Sequence, residues 1–440
     1  MIMEFGMKQL MDKLKPEQKL TIREIRELFQ NREIRREEIY PVLAKKALDI
    51  GENFYAYDIA EKIVPQNETV LLQRLHIMAL ALARSGAPER ASEILQQLPE
   101  LENSEIVGLK SRILKDVAAS TNDAKLRKAL FRQAAELSLE IFQKQKQYYN
   151  GINSASCFFM AGEKERAKTL VLEQVLPSCR EESVHDLWWI ATMGECHLLT
   201  GELSIAGEYY KQAAELAVAE GKLGSFSSTL KQFYMLAELF DPEAVRKIVA
   251  QMKLPNIAVF SGHMIDSPER MIPRFPADAE EQVREKLAEI VRKYNIRIAY
   301  VSCACGGDIL FIEEVLKNGG ECFILPPVSL ESTIRNSVDI IPGADWRGRL
   351  EKILQNDNVV LLESECEELG VEDDVIIYDF SNRFLFGAAI LRAEMLHFPL
   401  CGVSVWNGEK SGMTGGTDSA IALWKAKGIP VEIVTPEIKK

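Results

Sequence analysis

At Lys253-Leu-Pro-Asn256 the hydrophobic pattern of this chain changes period, and that change limits the folds available to it. From Met7 to about Ala250 nearly every segment has helix-forming composition with apolar residues spaced for a 3.6-residue turn. Almost no β-branched alternation interrupts it. Pro255 then stops the last helix, and Ile257-Ala-Val-Phe-Ser-Gly-His263 opens an alternation of apolar runs and amphipathic stretches. Strands are expected near 257–261, 298–302, 321–325, 358–362, 400–405 and 431–434. Helices are expected near 278–294, 307–318, 345–355, 376–396 and 416–427. Strand and helix in strict alternation predict a doubly wound, mostly parallel sheet with helices on both faces. The expected architecture is an N-terminal helical segment (1–50), all-α repeats (51–252) and a three-layer α/β domain (256–440).

A phrase recurs within the helical half. Ala81-Leu-Ala-Arg-Ser-Gly86 leads to Ala91, Phe158-Phe-Met-Ala-Gly162 leads to Ala167, and His197-Leu-Leu-Thr-Gly201 leads to Ala206. In each, a glycine suited to a left-handed helix cap precedes by five residues an alanine small enough for close helix packing. A degenerate unit fits between Glu105 and Gln147. The pattern resembles the tetratricopeptide family of stacked helical hairpins. Ala56-Tyr-Asp-Ile-Ala60, Val107-Gly-Leu-Lys-Ser-Arg-Ile-Leu-Lys-Asp116, Tyr149-Asn-Gly-Ile-Asn-Ser-Ala155 and Trp188-Trp-Ile-Ala-Thr-Met-Gly-Glu-Cys196 further resemble the TRAF-binding repeat region of apoptosis-signal kinases. That resemblance implies a scaffold contacting a protein partner, with room for a homo-oligomer. Trp188, Trp189, Tyr209 and Tyr210 are expected to be packing residues rather than a peptide groove. The alternating charges of residues 1–50 (Arg23, Glu24, Arg26, Glu27, Arg32, Glu33) are expected to be a solvated face.

Composition narrows the partners. A net charge of −12 disfavours a nucleic-acid backbone as ligand, because duplex binding draws on a basic stripe. No apolar run reaches the ~20 residues that span a bilayer, so no membrane partner is expected. Met1-Ile-Met-Glu-Phe-Gly-Met-Lys8 lacks a basic stretch followed by an apolar core, which makes the cytoplasm the expected compartment. The eight cysteines form no C-x-x-C pair and meet no histidine at ligand spacing; no metal is expected.

The second half carries the candidate ligand site. Ser261-Gly262-His263 ends the first strand, and Arg270 and Arg274 follow in its turn. Ser302-Cys-Ala-Cys305-Gly306-Gly307-Asp308 joins the second strand to a helix, and Pro326 to Arg335 follows the third. Gly412-Met-Thr-Gly415-Gly416-Thr417-Asp418-Ser419 opens the last helix. Glycines at helix starts expose unpaired amides at the positive end of the helix dipole, so two such turns make two cradles for an anion. Neither matches the Walker phosphate loop or the spaced dinucleotide fingerprint. Cys303 and Cys305 are read as structural, the acidic run Glu363 to Asp374 as a solvated loop, and Arg383 as either a ligand contact or a partner of Asp379. A glutamate at Gly307 or Gly416 is expected to fill the cradle and leave the fold intact.

Taken jointly, Ser261-Gly262-His263, the Ser302–Asp308 turn with Leu325-Pro326, and Gly415-Gly416-Thr417 resemble the SLOG superfamily. It includes the Lonely Guy phosphoribohydrolases, the DNA-processing A proteins and nucleotide sensors of bacterial conflict systems. The resemblance implies a Rossmann-like fold binding a nucleotide or nucleotide-derived messenger, with no separate cofactor. It assigns nucleotide contacts to Ser261, Gly262, His263, Cys305, Gly306, Gly307, Asp308, Arg383, Gly415, Gly416 and Thr417. In the hydrolases a P-G-G-x-G-T-x-x-E loop places a glutamate at the N-glycosidic bond, and here Ala420 stands at that position. A methyl group transfers no proton, which favours sensing over catalysis. The alternative is a nucleoside-phosphate N-glycosidase with a displaced acid, Asp418 or Glu313.

Overall fold

The computed structural model describes residues 14–15, 19–30, 36–97, 104–364, 374–410 and 414–438. Contacts divide the chain into two compact units, Met1–Lys253 with Met395–His397, and Leu254–Glu394 with Phe398–Lys440.

The first unit is helical. Its elements are α1 (Ile22–Gln30), α2 (Arg36–Ile50), α3 (Asn53–Glu61), α4 (Glu68–Arg84), α5 (Pro88–Leu95), α6 (Ser104–Ser120), α7 (Ala124–Gln145) and α8 (Tyr148–Ala161). Next come α9 (Lys164–Leu170), a π-helical turn (Val171–Val175), α10 (Leu176–Glu181), α11 (Leu187–Thr200), α12 (Leu203–Glu220), α13 (Leu223–Ala237) and α14 (Pro242–Met252). The expected glycine caps are present: Gly86, Gly162 and Gly201 have φ of +83°, +95° and +92°. In each the following amide reaches back five residues, Ala87 to Leu82, Glu163 to Phe158 and Glu202 to His197, at 2.8–2.9 Å. Ala91, Ala167 and Ala206 are wholly buried, as close packing of each hairpin requires. A further copy of this cap sits at Gly221 (φ +67°), where Lys222 N bonds Ala217 O and Phe226 replaces the small residue. Between Glu105 and Gln147 the hairpin of α6 and α7 turns without glycine, and Asp123 caps α7 by accepting from Lys125 N and Leu126 N. Asp186 and Asp241 cap α11 and α14 in the same way. The charged N-terminal stretch is a solvated face only in part: Glu27 is exposed and pairs with Arg23 at 2.9 Å, whereas Glu24 is buried and accepts from Thr21 N at 2.8 Å, and Arg26 lies over the Tyr55 ring at 4.8 Å; Arg32 and Glu33 lie outside the described residues.

The second unit is a six-stranded, wholly parallel sheet. Its elements are β1 (Asn256–Gly262), α15 (Glu280–Lys293), β2 (Ile296–Val301), α16 (Gly307–Lys317), β3 (Glu321–Ile324), α17 (Leu330–Thr333), α18 (Trp346–Leu354), β4 (Val359–Leu361), α19 (Asp374–Leu396), β5 (Leu400–Val405), α20 (Thr417–Ala426) and β6 (Val431–Val434). Strand order is β4-β3-β2-β1-β5-β6, so winding reverses between β1 and β5. Alternate residues divide the strands between two faces. Ala258, Phe260, Val301, Ile324, Cys401 and Val403 share one core with Val283 and Leu287 of α15, Ile312 of α16 and Leu350 of α18. On the other face of β5, a Cβ at Gly402 would lie 2.4 Å from the Trp424 ring of α20, so that helix packs there because residue 402 has no side chain. The short α17 and the π-helical turn after it (Ile334–Val338) are not among the helices expected from sequence, since four residues carry no period. No helix among the described residues is long and apolar enough to cross a membrane.

Candidate functional site

The end of β1 and the turn after β2 are zipped together. Gly307 N donates to His263 O at 3.0 Å and Ile265 N to Cys305 O at 3.2 Å, while Met264 and Gly306 form an antiparallel bridge. Gly306 has φ +94°, and a Cβ on it would lie 2.4 Å from Ile265 N. The space at Gly307 is also closed: a methyl group there would sit 3.2–3.3 Å from His263 O, Gly262 Cα and Val405 Cβ. These glycines therefore serve close backbone approach. Gly307's amide is engaged by the His263 carbonyl and Cys305's by Ser337 O at 2.8 Å. A side chain at Gly307 requires His263 O, Gly262 and Val405 to give by a few tenths of an ångström, so a glutamate there strains this wall, against the expectation from sequence that the fold is untouched. Cys303 and Cys305 are buried, and burial pushes both thiols up, Cys305 to about 12, so neither is a thiolate at neutral pH.

In front of this zipped wall lies a cleft of about 330 Å³ at the carboxyl ends of β1, β2, β3 and β5. An open α/β sheet binds ligands where its winding reverses, and the cleft covers that point. Its size falls at the lower end of small-molecule sites. Ser261, Gly262, His263, Asp308, Gly415, Gly416 and Thr417 line it. Cys305, Gly306 and Gly307 stand behind the wall. Arg383 does not line the cleft; its Nε meets Asp379 at 2.6 Å on the exposed side of α19. Gly412 and Met413 lie outside the described residues, as do Glu365, Glu367, Glu368, Glu372 and Asp373 of the acidic run.

The polar groups of the cleft are held in place. His263 Nε2 lies 3.0 Å from Asn407 Oδ1, and burial holds its pKa below the usual value. The ring is neutral at pH 7, with its proton on Nε2 and a lone pair on Nδ1. Asp308 is almost wholly buried where it lines the cleft, and accepts from Ala304 N at 3.1 Å. Burial raises its pKa to about 7, outweighing the amides of Ala304 and Gly262 that favour the charged form. Gly415 (φ +85°) packs its turn against α19, where a Cβ would meet Asp379 N and Val375 O at 2.8 Å, and Asn382 Nδ2 holds its carbonyl at 2.9 Å. Gly416 caps α20 without any side chain to accept its first amides.

Sequence reasoning left several lining residues out of the site. Arg274 lines the cleft with its Nε shut off from solvent and without an acceptor, and burial, followed by repulsion from Arg270, depresses its pKa. Asp266 does not neutralise it through an ion pair: that carboxylate accepts from the Arg274 and Phe275 amides at 2.7 and 2.8 Å and pairs with Arg270. Thr333 Oγ1 is buried in the lining with no partner. Tyr378, Ser381 and Asn382 of α19 complete the wall. Arg274 had a sequence signal as an arginine in the turn after β1, Thr333 lay in the turn after β3, and Asn382 stood beside Arg383 as a polar pair on an otherwise apolar helix; Tyr378 and Ser381 had none. Of the two acids weighed as replacements for the residue at Ala420, Asp418 lines the cleft and Glu313 does not. Burial would raise the Glu313 pKa, but Arg349 at 2.7 Å and Arg284 at 2.8 Å hold it below the usual range, so it is a bound anion.

Fold and cleft together define a two-unit protein, helical repeats joined to a parallel sheet with a polar cleft at its switch point. Residues 55–158 match the family model described as Tetratricopeptide Repeats-Sensor, which supports repeats of that kind and a sensing or signalling role. No curated protein matches the chain in sequence. Among solved structures, a mutant O-GlcNAc transferase of Thermobaculum terrenum is 10% identical over 86% of this chain and 76% of that one, with a TM-score of 0.26. Full-length LpoA of Haemophilus influenzae is 12% identical over 97% of this chain and 71% of that one, with the same TM-score of 0.26. Likeness that low carries no argument about the fold or role of this chain.

Proposed function

We propose that the sheet unit is a SLOG-like, Rossmann-type sensor for a nucleotide or nucleotide-derived messenger, and that the helical repeats pass its occupancy to a protein partner or assembly in the cytoplasm. The observation that supports it most is the pairing of Arg274, a cation with no carboxylate partner among the described residues, with the uncapped start of α20 at Gly416-Thr417, both lining one cleft. A phosphate there gains charge-assisted hydrogen bonds from both. His263 Nδ1 and Thr333 Oγ1 then meet the sugar or base. For occupancy to be signalled, the ligand must bind one arrangement of the protein better than another. Ala420 is buried and offers no proton-transfer group.

A second reading has one observation in its favour. Asp308, with a pKa near 7 and a place in the lining, fits a displaced acid of an N-glycosidase. The two readings separate on incubating the purified chain with ribonucleotides, cyclic dinucleotides and ADP-ribose species while following melting temperature and free-base release. Stabilisation without release is expected; release that disappears in Asp308→Asn establishes the hydrolase. Gly416→Glu, at a backbone position open to any residue (φ −78°, ψ 172°), should abolish the stabilisation by putting a carboxylate where the phosphate binds.

A further inference from the structure

The helical unit contains a second polar cavity, separate from the sheet. It encloses about 700 Å³ between helices α2, α4, α6 and α8, and its lining includes Asp49, Arg84, Arg112, Tyr149 and Trp188. Two guanidinium groups share this space. Arg84 Nη1 donates to Leu48 O at 2.8 Å and Arg112 Nη2 to Ser228 Oγ at 3.1 Å, but the Nε of each is closed off from solvent with no acceptor. Neither arginine forms an ion pair among the described residues. Asp49 attracts Arg84 through its charge but forms no ion pair with it, and accepts from Ser225 Oγ at 3.1 Å. Burial, then repulsion from Arg112, lowers the Arg84 pKa to about 9. An arginine stays charged at pH 7 even so, and enclosing one unpaired costs stability. Helix packing supplies no reason to place two such cations in one hollow. Beside them Tyr149 and Trp188 stand edge to face, with ring centroids 6.1 Å apart at 76°. Trp188 is only partly buried, unlike the fully enclosed Tyr210 that packs on Phe233.

We infer that this cavity binds a phosphorylated small molecule bearing a flat ring, its phosphate against Arg84 and Arg112 and its ring against Tyr149 and Trp188. Two guanidinium groups match the double negative charge of a phosphate monoester, and their planar forks suit its oxygens. The two rings offer apolar faces at little entropic cost. This site is independent of the sheet cleft, so the test uses the full chain carrying Gly416→Glu, in which the cleft is blocked.

Calorimetric titration of that protein with AMP, inorganic pyrophosphate and adenosine reads the site directly. AMP and pyrophosphate are expected to bind, and adenosine to bind far more weakly. Arg84→Met and Arg112→Met should each weaken AMP by roughly 10- to 100-fold, the loss expected for charge-assisted hydrogen bonds. Trp188→Ala should weaken AMP and spare pyrophosphate. The ligand-free melting temperature of Arg84→Met should hold or rise, because an unpaired buried charge is removed; if that variant does not fold, Arg112→Met carries the comparison. No binding of AMP or pyrophosphate overturns the inference, as does binding unchanged in both arginine variants. Binding of a Glu-rich peptide in place of AMP overturns the ligand class.

Discussion

Asp308 shows how one residue links the site to stability. Its folded pKa of about 7 lies above that of an exposed aspartate, so the folded state holds a proton that the unfolded chain has released. Its contribution is therefore fully present below about pH 4 and is lost as pH rises toward 7, on the order of a few kcal/mol in all. Asp308→Asn removes the titration and keeps an acceptor for the Ala304 amide. The fall in urea midpoint between pH 5 and pH 7.5 is expected to be steeper in the natural protein than in this variant; parallel profiles would show that the carboxyl is ionised throughout. Two glycines that look alike in sequence separate at the same scale. Gly307→Ala should cost about 1–3 kcal/mol by overpacking against His263 and Val405, whereas Gly416→Ala, at an extended N-cap position, should cost about 1 kcal/mol or less, from the poorer cap alone.

At the scale of elements, the helical hairpins depend on their left-handed caps. A Cβ at Gly162 or Gly201 meets nothing within 4 Å, so alanine there carries only the backbone penalty of positive φ. Each substitution should lower stability by about 1–2 kcal/mol in denaturant unfolding. Ala167 and Ala206, wholly buried in the following helices, should respond more strongly to leucine than to glycine, because the space between paired helices is filled. Such elements were legible in sequence because cap, spacing and small residue lie within one short window. The same holds for the strands: a run such as Leu400–Val405 is nearly continuous in apolar residues because both faces of a parallel sheet are covered. Residues 330–338 were not legible, since a short helix running into a π-helical turn has no repeated spacing to detect.

Over the whole molecule, each unit has apolar clusters of its own, one joining sheet and helices from Ala258 to Val434 and others within the repeats. A fragment starting at Leu254 is expected to unfold cooperatively in urea with a parallel-sheet circular dichroism spectrum; a non-cooperative transition would show that its core is incomplete. The sequence by itself determined the change from helical repeats to alternating strand and helix, the caps, and the glycine turns at strand ends, because these follow from local periodicity and backbone conformation. Only the tertiary structure decided which turns face a ligand. It spent the amide of Gly307 on the strand beside it, turned Arg383 toward Asp379, and brought Arg274, Thr333 and Asn382 to one cleft from three separate stretches. Sequence spacing records which groups a turn presents to its neighbours in the chain. Whether a donor is already satisfied depends on what folding brings against it, and that is set by long-range packing.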